Sequence, residues 1–448
     1  VKAPDIATKV LWIASLGSFL SSVTSSIVGV ILPKMASSMG VGIVEIQWVM
    51  LLPLVVISSF LVPFGHAADT YGHKRIYALG AFLGFLGALG CALAGGFSSL
   101  LLFRGVQGLG ASAAMACAPA LISLSVEPNK RGRYLGLTSA ALYVGLAAGP
   151  PLGGFLEQYL GYRAVFVLQA VFSSGLFILT TKYMPELRKG EGRLLNTHVL
   201  CSMVFALFIA FVVLAVTSPS LGFAMSAIAL LMIFVITCTQ ANPPFLDTSL
   251  LKQKTIFSAI AGAFLNYCSL FTATFLLPFF LHSQFEMESS AIGALMSVHP
   301  VTMAFVASPA GTLSDRFGSR FLSSLGMFLL SGGLLGLALA SNTPYAVAGF
   351  MFVIGAGTGI FVAPNTNALL STAPRNVQGS ASAILALSRN LGMISGIALS
   401  ATLSVANSSK VTDNDGIRVA WLVGALLAFV GALVVLLRDV AGKNEHGA

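Results

Sequence analysis

Carboxylates are scarce in this chain of 448 residues: there are 15, and none falls at the centre of an apolar run. Charged residues of both signs make up 9% of the sequence against 56% hydrophobic, with a mean hydropathy of +0.90, which excludes the polar coat of a soluble fold. Cysteine is sparse as well. Cys91, Cys117, Cys201, Cys238 and Cys268 are scattered through apolar runs with no close pair, so a disulfide framework is excluded and buried packing is the expected role. The histidines at 66, 73, 198, 282, 299 and 446 have no metal-ligand spacing, so neither metal nor cofactor is expected, and the polar cluster that a membrane enzyme needs at one interface is missing.

What the chain has instead is long apolar runs. Stretches of roughly 20 residues suffice to cross a bilayer, and they occur near 10–33, 46–65, 76–96, 98–125, 134–156 and 163–183. A charged linker from Met184 to Arg193 follows, then a charge-free tract from Leu194 to Leu246, broken at Thr217-Ser218-Pro219-Ser220 and long enough for two more. Six further runs lie near 256–281, 289–309, 321–341, 344–370, 380–405 and 417–437. The expected fold is therefore an all-α integral membrane protein with fourteen transmembrane helices. It divides into a six-helix bundle at 1–183, a cytoplasmic linker with an inserted two-helix hairpin at 184–254, and a second six-helix bundle at 255–448.

The excess of basic residues, a net +9, suits this layout better than a nucleic-acid partner. With loops assigned from these runs, 18 Lys and Arg fall on one side and only Lys34, Arg163, Lys410 and Arg418 on the other, which places both termini in the cytoplasm by the positive-inside rule. The run from Val10 to Pro33 is too long for the apolar core of a signal peptide, so a retained first helix is expected. Trp12, Trp48 and Trp421 stand near helix ends, as interfacial anchors do.

Two polar stretches are the same phrase. Gly65, Asp69, Gly72 and Lys74, followed by Arg75, recur 246 residues later as Gly311, Asp315, Gly318 and Arg320, with Arg316 beside the second aspartate. Such a repeat means two similar halves. Physically it is a tight turn: the first glycine admits a close backbone approach, the second takes a positive φ, and the basic residues hold the turn on the cytoplasmic side. The aspartate either caps a helix or pairs with a nearby arginine. A weaker echo sets Gly145 and Gly149 against Gly392 and Gly396, small residues four apart that let helices approach closely.

These loops resemble the signature loop of the major facilitator superfamily. Arg104-Gly105-Val106-Gln107-Gly108-Leu109-Gly110 resembles that family's fourth-helix motif, and Gly145 to Gly154, with Gly149, Pro150 and Gly153 inside it, resembles the fifth-helix motif of its fourteen-helix drug–proton antiporter branch. The resemblance implies a secondary active transporter in the inner membrane, an exporter of small amphipathic molecules by alternating access, with proton-coupled multidrug efflux as its most specific form. Small amphipathic substrates, the lipid bilayer and protons are then the partners. It assigns the two loops and the fifth-helix motif to gating, and Arg104 to gating or proton handling; a snorkelling, structural arginine is the alternative.

In one respect the chain departs from that branch. Where the branch carries an aspartate in helix one, this sequence reads Thr24-Ser25-Ser26-Ile27-Val28-Gly29-Val30-Ile31-Leu32-Pro33, and a threonine carries neither proton nor charge. A uniporter or exchanger of lipid-like or anionic metabolites, without proton coupling through helix one, is therefore the alternative function. A non-transporting membrane sensor ranks lower because every loop is short.

Polar groups at membrane depth are the candidates for substrate binding or coupling, since a central charge costs on the order of 2.5–3.5 kcal/mol. In the first half these are Arg104, Gln107, Ser22 in a hydroxyl-rich segment, Thr24 and Tyr143; in the second they are Asn266, Tyr267, His299, Asn365, Arg389 and Asn390. His299 serves either proton exchange or neutral packing. A lining of hydroxyls, amides and arginine without acid suits neutral or anionic amphiphiles better than lipophilic cations.

Overall fold

The computed structural model describes residues 3–127, 131–186, 196–218, 220–240, 253–374, 377–406 and 414–438. All regular structure among them is helical, as expected where lipid leaves backbone groups no partner but their own helix. The first half holds α1 (Ala3–Met39), α2 (Ile43–Ile46), α3 (Trp48–Tyr71), α4 (His73–Leu93), α5 (Phe97–Ser125), α6 (Arg131–Leu160) and α7 (Tyr162–Tyr183). Next come α8 (Asn196–Thr217) and α9 (Leu221–Gln240). The second half holds α10 (Lys254–Phe285), α11 (Ser289–Met296), α12 (Val298–Phe317), α13 (Ser319–Ala340), α14 (Pro344–Thr372), α15 (Gln378–Ala406) and α16 (Asp415–Leu436).

Among the described residues thirteen helices are long and apolar enough to cross a membrane, and where the fourteenth is expected α9 carries a shorter apolar stretch, Leu221–Thr237. In each half the second span is interrupted near its start. The breaks at Gln47 and Ser297 divide α2 from α3 and α11 from α12, which apolarity alone does not reveal.

By internal contacts the chain forms two units, Val1–Phe245 with Met287–Ser297, and Leu246–Glu286 with Val298–Ala448. In the first, α1 lies along α6, α3 along α5, and α4 touches both α5 and α7. The second repeats this pairing: α10 lies along α15, α12 along α14, and α13 touches both α14 and α16. The hairpin of α8 and α9 belongs to the first unit, with α8 against α3 and α9 against α8.

The duplication reaches atomic detail at one crossing. A Cβ built on Gly80 of α4 would stand 2.7 Å from the Gly110 carbonyl oxygen of α5, and one on Gly110 would stand 2.6 Å from that of Gly80. Gly326 of α13 and Gly357 of α14 meet each other in the same reciprocal way. Lipid supplies no hydrophobic drive between helices, so backbone proximity must supply the van der Waals contact.

The repeated turns behave in part as expected. Gly72 has φ 98° and Gly318 φ 84°, ending α3 and α12 and starting α4 and α13. The close approach expected at the first glycine is not made: a Cβ at Gly65 meets no atom within 4 Å, and one at Gly311 would only touch Ala363 at 3.7 Å. Alanine at position 72 or 318 should therefore cost about 1–3 kcal/mol of stability, because that backbone region is closed to side chains. Gly65→Ala should be neutral or slightly stabilising; thermal unfolding of the three purified variants checks the contrast.

Cys91, Cys117, Cys201 and Cys268 are buried free thiols, as their apolar surroundings suggested; the Cys238 side chain lies outside the described part. Trp12 is exposed, but Trp421 corrects its expectation as an interfacial anchor. It is fully buried in the second unit, edge-on to Phe280 with ring centroids 4.9 Å apart, because α16 turns that face toward α10.

Candidate functional site

An arginine placed inside an apolar helix must find acceptors within the protein. Arg104, 5% exposed, finds two: its Nε donates to the Val49 carbonyl of α3 at 2.8 Å, and its Nη1 donates to Gln107 Oε1, one turn on, at 2.7 Å. Gln107 Nε2 in turn donates to Gln169 Oε1 of α7 at 2.9 Å, and Gln169 Nε2 reaches the Thr24 carbonyl of α1 at 3.3 Å. One chain of hydrogen bonds thus ties four helices of the first unit together around a guanidinium. Among the described residues no carboxylate lies within ion-pair distance of it.

The structure therefore joins Arg104, Gln107 and Thr24, though Thr24 contributes its backbone carbonyl to the chain. Ser22 stands apart, its hydroxyl donating to Ser18 of its own helix at 2.9 Å, the usual way a membrane helix satisfies serine. Tyr143 lies half-buried on α6. Gln169 is the member that sequence reasoning missed. It belongs to no recognised motif, and its one visible sign is an amide within the largely apolar run of α7.

In the second unit the candidates separate. Tyr267 and Arg389 come together, with the guanidinium 5.9 Å from the ring centroid and its Nη2 donating to Thr366 Oγ1 at 2.7 Å. Asn266 is fully buried and donates to Met327 Sδ of α13 at 3.1 Å, so it points into the helix bundle. His299 is buried on α12 with Nε2 unpartnered, and Asn390 is buried with Nδ2 unpartnered.

Asn365 is committed at both ends, its Nδ2 donating to the Ala259 carbonyl at 2.9 Å and its Oδ1 accepting from Arg438 Nη2. That arginine lies just beyond α16, among the basic residues that charge asymmetry assigns to the cytoplasmic side. It is only 2% exposed, and its Nε donates to Ser258 Oγ at 3.0 Å. Burial pushes its guanidinium down to about 10, which leaves it charged at neutral pH.

At the repeated turn Asp69 pairs with His73 at 3.5 Å, on the far side of Gly72, where the sequence suggested an arginine. Arg75 instead meets Glu186 at 3.7 Å. Lys74 is half-buried, while Arg316 and Arg320 are exposed; the Asp315 side chain lies outside the described part. On α6 the glycines divide between two neighbours. Gly145, Gly149 and Gly153 lie against Phe19, Ser26 and Ile27 of α1, while Pro150 and Gly154 lie against Gly293 and Ser289 of α11.

Thirteen spanning helices and one shorter apolar helix among the described residues, with two units of one pairing pattern, define a duplicated helical membrane protein. The chain belongs to the Major Facilitator Superfamily, whose profile matches residues 14–245 and 259–447. The riboflavin transporter RibZ of Clostridioides difficile is 27% identical over 396 residues, covering 87% of this chain and 86% of that protein. The multidrug resistance protein Stp of Mycobacterium tuberculosis is also 27% identical, covering 86% of this chain and 73% of that one, and the methylenomycin A resistance protein of Bacillus subtilis is 24% identical, covering 88% and 87%. The fold matches the crystal structure of a bacterial homologue of the human lysosomal transporter Spinster, with a TM-score of 0.72 at 15% identity, covering 98% and 97% of the two chains.

Proposed function

We propose that this transporter exports small neutral and anionic amphipathic molecules by alternating access, from a cytoplasmic membrane in which both termini face the cytoplasm. The observation that carries the substrate class is the composition of the spans. Every described carboxylate within a span lies within a few residues of its end, as Glu45, Asp69 and Glu157 do, whereas Arg104 is buried well inside its helix. A lipophilic cation would meet a guanidinium and no counter-charge, and desolvating like charges together is unfavourable. Names of relatives that include riboflavin transport, methylenomycin A resistance and multidrug resistance support small organic cargo. The fifth-span glycines and prolines support the export direction.

Proteoliposome flux tests this reading. Neutral and anionic amphiphiles should be moved and a dication should not; saturable transport of the dication would overturn the substrate class. The missing acid also favours a second reading, exchange or uniport without proton coupling. An imposed pH gradient should then leave flux unchanged, while acceleration by the gradient restores the antiporter.

The turn at Asp69 is proposed as a cytoplasmic latch, together with Asp315, Lys74, Arg75, Arg316 and Arg320. Asp69→Asn removes the charge that meets His73 without enlarging the side chain. It should lower flux at least tenfold while the purified variant keeps the wild-type elution profile and melting temperature. Wild-type flux in that variant would remove the latch.

A further inference from the structure

The buried polar chain of the first unit leaves one cationic nitrogen unused. Arg104 Nε and Nη1 are both committed, whereas Nη2 makes no hydrogen bond and is not among the fully enclosed polar atoms. The guanidinium plane is fixed by its two bonds, and the second is itself held in place, because Gln107 cannot swing away without breaking its bond to Gln169. Gln169 is fixed to α1 through the Thr24 carbonyl. All of these partners are uncharged. The arrangement is a pre-oriented cation with neutral support and one free donor.

We propose that Arg104 Nη2 is the anchor for a carboxylate, or a comparably delocalised monoanion, on the transported molecule, and that Gln169 is the positioning residue that keeps Nη2 available. A charge-assisted hydrogen bond to an anion is roughly twice as strong as a neutral one, and in low-dielectric surroundings it is little screened by salt. Among the described residues no carboxylate stands within ion-pair distance of Arg104 to compete. Gln169 fulfils its role through an amide that accepts at one end and donates at the other, so neither a carboxylate nor an apolar residue replaces it. The inference rests on the transporter reading and narrows its substrate class.

The test uses the purified full chain and a matched pair of probes, 2-naphthoate and 2-naphthamide, which share a ring and differ in charge. In the wild type the carboxylate should bind at least tenfold more tightly than the amide, read by calorimetry and by thermal stabilisation. Arg104→Gln should bind the two equally, and Arg104→Lys should keep part of the preference. Gln169→Glu leaves the arginine untouched, still accepts from Gln107, and introduces the missing negative charge. It should abolish the preference while the protein remains folded.

Equal binding of the two probes by the wild type, failure of both to bind, or a preference that survives Arg104→Gln or Gln169→Glu overturns the proposal. Flux separates this outcome from failure of the functional reading. A wild type that binds 2-naphthoate selectively but moves nothing contradicts transport and upholds the anchor; one that moves amphiphiles regardless of charge upholds transport and contradicts the anchor.

Discussion

Gly110→Ala should destabilise the protein by about 3 kcal/mol or more, whereas Gly349→Ala should stabilise it by roughly 0.5–1 kcal/mol, although both replace a glycine inside an apolar helix. At position 110 the new methyl group would lie 2.6 Å from both the Gly80 carbonyl oxygen and the Gly84 amide nitrogen. These are backbone atoms and cannot rotate aside, so α4 and α5 would have to separate. A separation of even one ångström forfeits contact along the whole crossing, because dispersion falls steeply with distance. At position 349 no atom lies within 4 Å, and alanine merely removes the entropic penalty of glycine in a helix. Gly357→Ala should reproduce the first effect in the second unit, since its methyl group would meet Gly326 and Leu330 backbone atoms at 2.6 Å. Thermal denaturation of the three variants in one detergent decides the matter: equal melting temperatures would mean that the reciprocal approach is absent.

How much of this was readable from the residues depends on the kind of signal. The duplication was legible because Gly, Asp, Gly and a basic residue recur at one offset, and the positive φ of Gly72 and Gly318 follows from chemistry that only glycine tolerates. Helix number was legible because lipid demands length and apolarity and little else. The helix-one threonine and the scarcity of acid were equally visible, since a charge inside a greasy run stands out. Partnership was not legible. A span satisfies its polar groups through helix faces brought together by packing, and nothing local in α7 announces that Gln169 meets Gln107.

The partnership of Asn365 with Arg438 is hidden in the same way. An amide at membrane depth and a base beyond the last apolar run look like a ligand and a loop residue, and only the fold shows the base, just past the end of α16, bonded to the amide of α14. The Gly65 expectation failed for a related reason. Close approach is a property of two helices, and the motif describes one.

The Asn365 and Arg438 pair leads to a sign-reversing experiment. Asn365→Leu alone should destabilise by about 3 kcal/mol or more, because it leaves a buried guanidinium with no acceptor for Nη2, while Nη1 already has none and Nε keeps only Ser258. The guanidinium remains charged at neutral pH despite its lowered pKa, so it cannot escape the penalty by shedding its proton. Adding Arg438→Met to that variant should restore most of the lost stability, since the charge and its unmet donors disappear together and two apolar side chains fill the space. The coupling is therefore expected to be favourable and on the order of 2 kcal/mol, in the range seen for directly bonded pairs. Additive losses would instead show that Arg438 is not held by Asn365. Because both ends of the Asn365 amide are engaged within the bundle, the double variant should also keep the charge preference of the wild type for its substrates. A change in that preference would return Asn365 to the binding site where its sequence position first suggested it.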